Sequence, residues 1–196
     1  MGMSNFYLFG DSICFSQYVS IEKTWVCNSA KHLNIEYDDR YVFMNASIPG
    51  NTTRDGLVRL QYDVLTRNPN IVYIQFGLND CNIWETGKGI PRVPINSFMA
   101  NLYEIIVNLK AYSVNPIILG TNHPTNKDNS YNYRNMMYNE VIRDVVDKTG
   151  SYLIDHEVYW KGKNCVDFLL SDGVHLNENG NWLYYEAFVD KIKSIL

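Results

Sequence analysis

No stretch of this sequence approaches the roughly 18 uninterrupted apolar residues that a membrane-spanning helix needs, so no membrane span is expected. No run of lysine and arginine occurs, and the net charge of −4 leaves no electropositive track for a phosphate backbone, which argues against nucleic acid as a partner. Charged residues are sparse at 19% beside 46% apolar ones, a balance that argues against disorder and for a substantial core. The four cysteines, Cys14, Cys27, Cys81 and Cys165, form no CxxC pair and show no clustered zinc spacing. They are expected to be reduced, mostly buried thiols, and no metal or other cofactor is called for. GxGxxG and GxxxxGK[ST] are missing, so nucleotide binding has no motif behind it. The stretch MGMSNFYLF lacks a basic region followed by a long apolar one, and Phe6 stands where a myristoylation pattern wants Ser or Thr. A cytoplasmic protein is the expectation; a leader removed beforehand would leave no trace in this chain.

What is present is an alternation. Five short runs rich in Ile, Val, Tyr and Phe, at 6–9, 41–45, 71–76, 116–120 and 152–155, are nearly continuous rather than alternating, as parallel strands covered on both faces are. Between them lie helical stripes: Leu57, Leu60, Val64, Leu65; then Phe98, Leu102, Ile105, Ile106, Leu109. Met136, Met137, Val141, Val145, Val146 make a third, and Trp182, Tyr185, Phe188, Ile192, Ile195 a fourth; 22–33 is a weaker first helix. Strands alternating with helices imply right-handed crossovers, hence one α/β domain over 1–196: a three-layer α/β/α sandwich on a five-stranded, mainly parallel sheet.

Such a sheet gathers its functional groups at the carboxyl ends of its strands. Strand one ends in Gly10-Asp11-Ser12, strand two runs on to Pro49-Gly50-Asn51, strand three ends in Gly77-Leu78-Asn79-Asp80 and strand four in Gly120-Thr121-Asn122-His123. Before the last helix comes Asp172-Gly173-Val174-His175. Taken singly these are turn formers and caps, and Gly10-Asp11-Ser12 alone is more often a turn than a site. Together they supply what acyl transfer needs: a hydroxyl on Ser12, a base in His175, and a carboxylate on Asp172 three residues away to orient it. The backbone N–H groups of Gly50 and Ser12 and the side-chain amide of Asn79 can serve as donors to a developing oxyanion.

The ordered set Ser12, Gly50, Asn79 and His175, in the blocks GDS, G, GLND and DGVH, resembles the SGNH hydrolases, or GDSL esterases/lipases. The blocks span nearly the whole chain; the one departure is Ile13 in place of Leu. The resemblance implies a flavodoxin-like fold. It also implies Ser12 as nucleophile, His175 as base, Asp172 as its orienting acid, and an oxyanion hole made by Ser12, Gly50 and Asn79. The GxSxG elbow of α/β-hydrolases is absent, in keeping with a nucleophile near the N-terminus.

For a substrate, the chain has no room for a large lid, which favours small or soluble esters: short acyl groups, first of all acetyl on a carbohydrate. Longer acyl chains, as for a lysophospholipase or thioesterase, and transfer to an acceptor hydroxyl use the same machinery. A carbohydrate-binding module retaining only the fold would have no need of Ser12, Asp172 and His175 together. Trp84, close after Asn79, and His123, at the fourth strand end, are candidate substrate contacts. Arg54 and Arg92 are candidates for an anionic group, and Tyr159 and Trp160 for another wall. Oligomeric state is left open.

Overall fold

The computed structural model describes residues 2–196. Five strands, β1 (Ser4–Gly10), β2 (Tyr41–Asn45), β3 (Ile71–Gln75), β4 (Ile117–Gly120) and β5 (Tyr152–Ile154), form a fully parallel sheet in the order β2-β1-β3-β4-β5. The register sets Gly10 opposite Gln75, so β1 and β3 finish level. The central strands β1, β3 and β4 are buried almost throughout, which is why they read as unbroken apolar runs. The edge strands are partly open, with Met44 and Tyr152 exposed.

Parallel neighbours need a crossover. Four helices provide it: α2 (Trp25–Glu36), α3 (Thr53–Asp63), α4 (Ile95–Ala111) and α5 (Asn129–Thr149), with α7 (Glu178–Lys193) following β5. Two single turns, α1 (Ser12–Phe15) and α6 (His156–Tyr159), sit directly after β1 and β5. Helix α2 packs with α7, while α4 packs with both α3 and α5, giving one helical layer on each face. On one side Trp25, Tyr73 and Phe188 meet ring against ring; on the other Phe9 meets Phe76 edge-on beneath α3. The chain leaves β1 for β2 and β3 for β4, in opposite directions, so a crevice opens between the ends of β1 and β3. Ser12 and Asn79 follow those two ends.

Elements differ from the sequence reading in instructive places. Helix α2 begins at Trp25 rather than at residue 22, because the Thr24 hydroxyl accepts the Cys27 N–H at 3.2 Å and caps it, leaving Ile21–Lys23 as a separate 3₁₀ turn. In α5, Met136 and Met137 are exposed, and the buried face carries Asn135 and Asn139 instead. Both asparagines bond to the backbone after β4, Asn139 to both the N–H and the carbonyl of Asn122, so polar residues occupy a face that apolar periodicity assigned elsewhere. In α7, Trp182 is exposed, and Leu183, Tyr184 and Ala187 join Phe188 and Ile192 inside.

Candidate active site

Ser12 is the first residue of α1. The Asp11 carboxylate accepts the Ile13 N–H at 2.9 Å and caps this turn. Gly10 is required there: a Cβ on it would lie 2.4 Å from the Gln75 carbonyl oxygen and 2.6 Å from the Cys14 Cβ. The sequence GDS is therefore a turn, as its composition suggests, and it closes tightly enough to present the Ser12 hydroxyl at the head of β1.

His175 reaches that hydroxyl from the loop before α7, with Nε2 3.0 Å from Ser12 Oγ. Its Nδ1 lies 2.6 Å from Asp172 Oδ2. The other carboxylate oxygen, Oδ1, accepts the backbone N–H groups of Val174 and His175 at 2.8 and 2.9 Å. Burial works to raise the Asp172 carboxyl; the hydrogen bonds from those two N–H groups and from the imidazole outweigh it, so the group sits below the ordinary carboxylate value and stays ionised. An ionised Asp172 holds the proton on Nδ1 and leaves the Nε2 lone pair facing Ser12.

The loops after β2 and β3 are tied to each other beside Ser12. Thr52 caps α3, and both the N–H and the hydroxyl of Thr53 donate to Asp80 Oδ1, at 2.9 and 2.6 Å. Burial pushes the Asp80 carboxyl up to about 6 despite those bonds. Gly50 has φ +80°, a left-handed conformation that favours glycine, and its carbonyl accepts from Arg92 at 3.0 Å. Asn79 Nδ2 donates to the Asn51 carbonyl at 3.0 Å and reaches Asp11 Oδ2 at 3.4 Å. Asp11 is fully buried, and that burial pushes its carboxyl up to about 7. Among the described residues, the N–H groups of Ser12 and Gly50 have no backbone acceptor. Ser12, Gly50, Asn79, Asp172 and His175 all line one cleft of about 700 Å³.

The two candidate substrate contacts lie outside the lining of this cleft. His123 is wholly buried, with Nδ1 on the Tyr184 hydroxyl at 2.6 Å and Nε2 on the Val174 carbonyl at 2.8 Å, so it stands behind the cleft wall. Trp84 is exposed but faces a neighbouring groove with Arg54 and Arg92, the Arg92 guanidinium lying 4.4 Å over its ring. Trp160 is part of the core, stacked on His123, and Tyr159 lies on a separate surface with Trp182.

Other residues at the site carry no sequence signal. Arg59 of α3 donates to the backbone of Gly10 and Ala46 and, at 2.7 Å, to Asn51 Oδ1, lacing the first two loops together. Its place beside Leu57 and Leu60 reads as an ordinary helical surface position. Gln17, Asn82, Lys127 and Arg134 line the same cleft, and Tyr18 stands edge-on to the His175 ring. They come from segments with no motif; Gln17 and Tyr18 follow Ser12 closely in the chain, while the fold brings Asn82, Lys127 and Arg134 to the same cleft.

A family model described as GDSL-like Lipase/Acylhydrolase family matches residues 8–183. An arylesterase of Vibrio mimicus is 28% identical, over 85% of this chain and 76% of its own. An acetylxylan esterase of Geobacillus stearothermophilus is 27% identical, over 76% of this chain and 71% of its own. In three dimensions, the crystal structure of the acetylxylan esterase Axe2 from Geobacillus stearothermophilus superposes with a TM-score of 0.82 at 23% identity, covering 97% of this chain and 95% of that one.

Proposed function

From the premise that this chain belongs to the GDSL-like lipase/acylhydrolase family and is a serine carboxylic ester hydrolase, we propose that it removes short acyl groups, with O-acetyl on a carbohydrate as its target. The observation that carries this reading is the polar part of the cleft lining. Gln17, Asn82, Lys127 and Arg134 offer hydrogen bonds to hydroxyl-rich substrate and interrupt the apolar lining of Pro49, Leu78, Ile83 and Val174, where a long acyl chain would want a continuous apolar channel. The sequence likeness to an acetylxylan esterase supports the same choice.

In this reading Ser12 Oγ attacks the ester carbonyl while His175 Nε2, at 3.0 Å, takes its proton. The imidazolium that forms is stabilised by Asp172, and it then protonates the leaving alkoxide. The N–H groups of Ser12 and Gly50 and the amide of Asn79 stabilise the oxyanion. Asn79 Nδ2 donates to the Asn51 carbonyl at 3.0 Å and reaches Asp11 Oδ2 at 3.4 Å, so in this reading it gives up the longer of the two bonds to serve the oxyanion. Water activated by His175 then releases the acyl group from Ser12.

The test is kcat/KM across p-nitrophenyl acetate, butyrate and octanoate, with acetate release from acetylated xylo-oligosaccharides measured alongside. Highest values for acetate, with release from the oligosaccharide, are the expected result. A preference for octanoate would replace this reading with a lysophospholipase or thioesterase activity.

A further inference from the structure

His123 sits one peptide away from the catalytic loop, and donor and acceptor chemistry fixes every proton around it. Its Nε2 faces the Val174 carbonyl at 2.8 Å. A carbonyl only accepts, so Nε2 carries hydrogen. Burial pushes the imidazole down to about 4, which keeps the ring neutral. Nδ1 is then a bare acceptor, and the Tyr184 hydroxyl 2.6 Å away must donate to it. The Tyr184 oxygen in turn accepts from Gln75 Nε2 at 3.0 Å. Turning the Gln75 amide over would reverse each bond and set a bare Nε2 against the Val174 oxygen, so the carbonyl at the far end dictates the direction of the chain.

That chain runs on into the site. The Val174 carbonyl and the His175 N–H belong to one peptide group, and this N–H donates to Asp172 Oδ1 at 2.9 Å. A hydrogen bond to the carbonyl of a peptide polarises it and strengthens its N–H as a donor. The line therefore passes from Gln75 on β3 through Tyr184 on α7 and His123 after β4 to the peptide that orients Asp172. The rings are held in place too. His123 stacks on Trp160 with centroids 4.8 Å apart, and Tyr184 on His156 at 3.9 Å. Asn135 holds the His123 carbonyl at 2.9 Å.

We propose that His123 is a positioning residue for catalysis: by fixing the peptide between Val174 and His175 it aims that N–H at Asp172 and so keeps the His175 imidazole aligned with Ser12. The proposal rests on the assignment of Asp172 and His175 as the orienting acid and base, and it gives buried polar side chains at three separate positions one shared task.

His123→Phe keeps a ring in the stack and removes the donor; His123→Gln returns an N–H near the Nε2 position. With p-nitrophenyl acetate, His123→Phe is expected to lower kcat by roughly tenfold to a hundredfold with KM within about twofold, and His123→Gln to recover most of the loss. A folded His123→Phe enzyme with wild-type kcat overturns the proposal, as does a His123→Gln enzyme that loses as much as the Phe variant. If His123→Phe does not fold, His123→Asn, which keeps an acceptor near the Nδ1 position for Tyr184 but is too short to reach the Val174 carbonyl, decides through the low-field proton resonance of His175 Nδ1–H. A displaced resonance supports the positioning role, and an unmoved one contradicts it. The assignment of Ser12, Asp172 and His175 stands or falls separately, by substitution at Ser12 in the same assay.

Discussion

Asp172 and His175 are bonded to each other twice: Oδ2 to the imidazole Nδ1 at 2.6 Å, and Oδ1 to the His175 backbone N–H at 2.9 Å. One carboxylate thus sets both where the base stands and which nitrogen carries its proton.

Asp172→Asn separates those two functions. The amide oxygen still accepts the backbone N–H groups, while its NH₂ faces Nδ1 and forces the proton onto Nε2, where it blocks acceptance from Ser12. Turnover of p-nitrophenyl acetate should fall by about 10⁴-fold with KM little changed and the fold intact. A loss of tenfold or less would mean that Asp172 does not set the tautomer of the base.

On the proposed reading, Asn79→Ala removes one of three oxyanion donors and leaves the N–H groups of Ser12 and Gly50. Its kcat should drop by about 10²–10³-fold. Steady-state kinetics distinguish this from simple binding, since a change confined to KM would make Asn79 an ordinary contact to the ground-state ester.

Asp11 gives a stability prediction with a definite sign. Burial raises its folded-state pKa from the ordinary 3.8 to about 7. Its contribution is therefore fully present below 3.8 and is lost as pH rises through about 7. Asp11→Asn deletes this dependence while keeping an acceptor for the Ile13 N–H. Urea unfolding at several pH values should show the variant gaining on wild type between about pH 4 and pH 7, with no further gain above. The buried His123 and His156 are pushed down to about 4 and about 3 and act in the opposite sense, but they are common to both proteins. A difference that stays constant with pH would count against a buried, ionising Asp11.

Much of this architecture is legible in the chain because parallel strands buried on both faces must be apolar throughout, and β1, β3 and β4 are. The turns that carry Ser12, Gly50, Asn79 and His175 are legible because each follows a strand or precedes a helix, where residue type is constrained by backbone geometry as well as by chemistry. His123 and Trp84 carry no such constraint. Sequence proximity to a strand end says nothing of which way a side chain turns, and His123 turns inward while Trp84 turns toward Arg92. Met136 and Met137 mislead for a related reason: α5 buries Asn135 and Asn139 to satisfy the loop after β4, a demand that hydropathy cannot register. Arg59 was invisible because its partners are the backbone of Gly10 and Ala46 together with Asn51, brought together only by the fold.

The most direct measurement is turnover of p-nitrophenyl acetate by wild type and by Ser12→Ala, with circular dichroism establishing that both are folded. Wild type should hydrolyse the ester, and the variant should lose nearly all turnover, because among the described residues Ser12 supplies the hydroxyl on His175 Nε2. Wild-type turnover in a folded Ser12→Ala protein would contradict the assignment of Ser12 as the nucleophile.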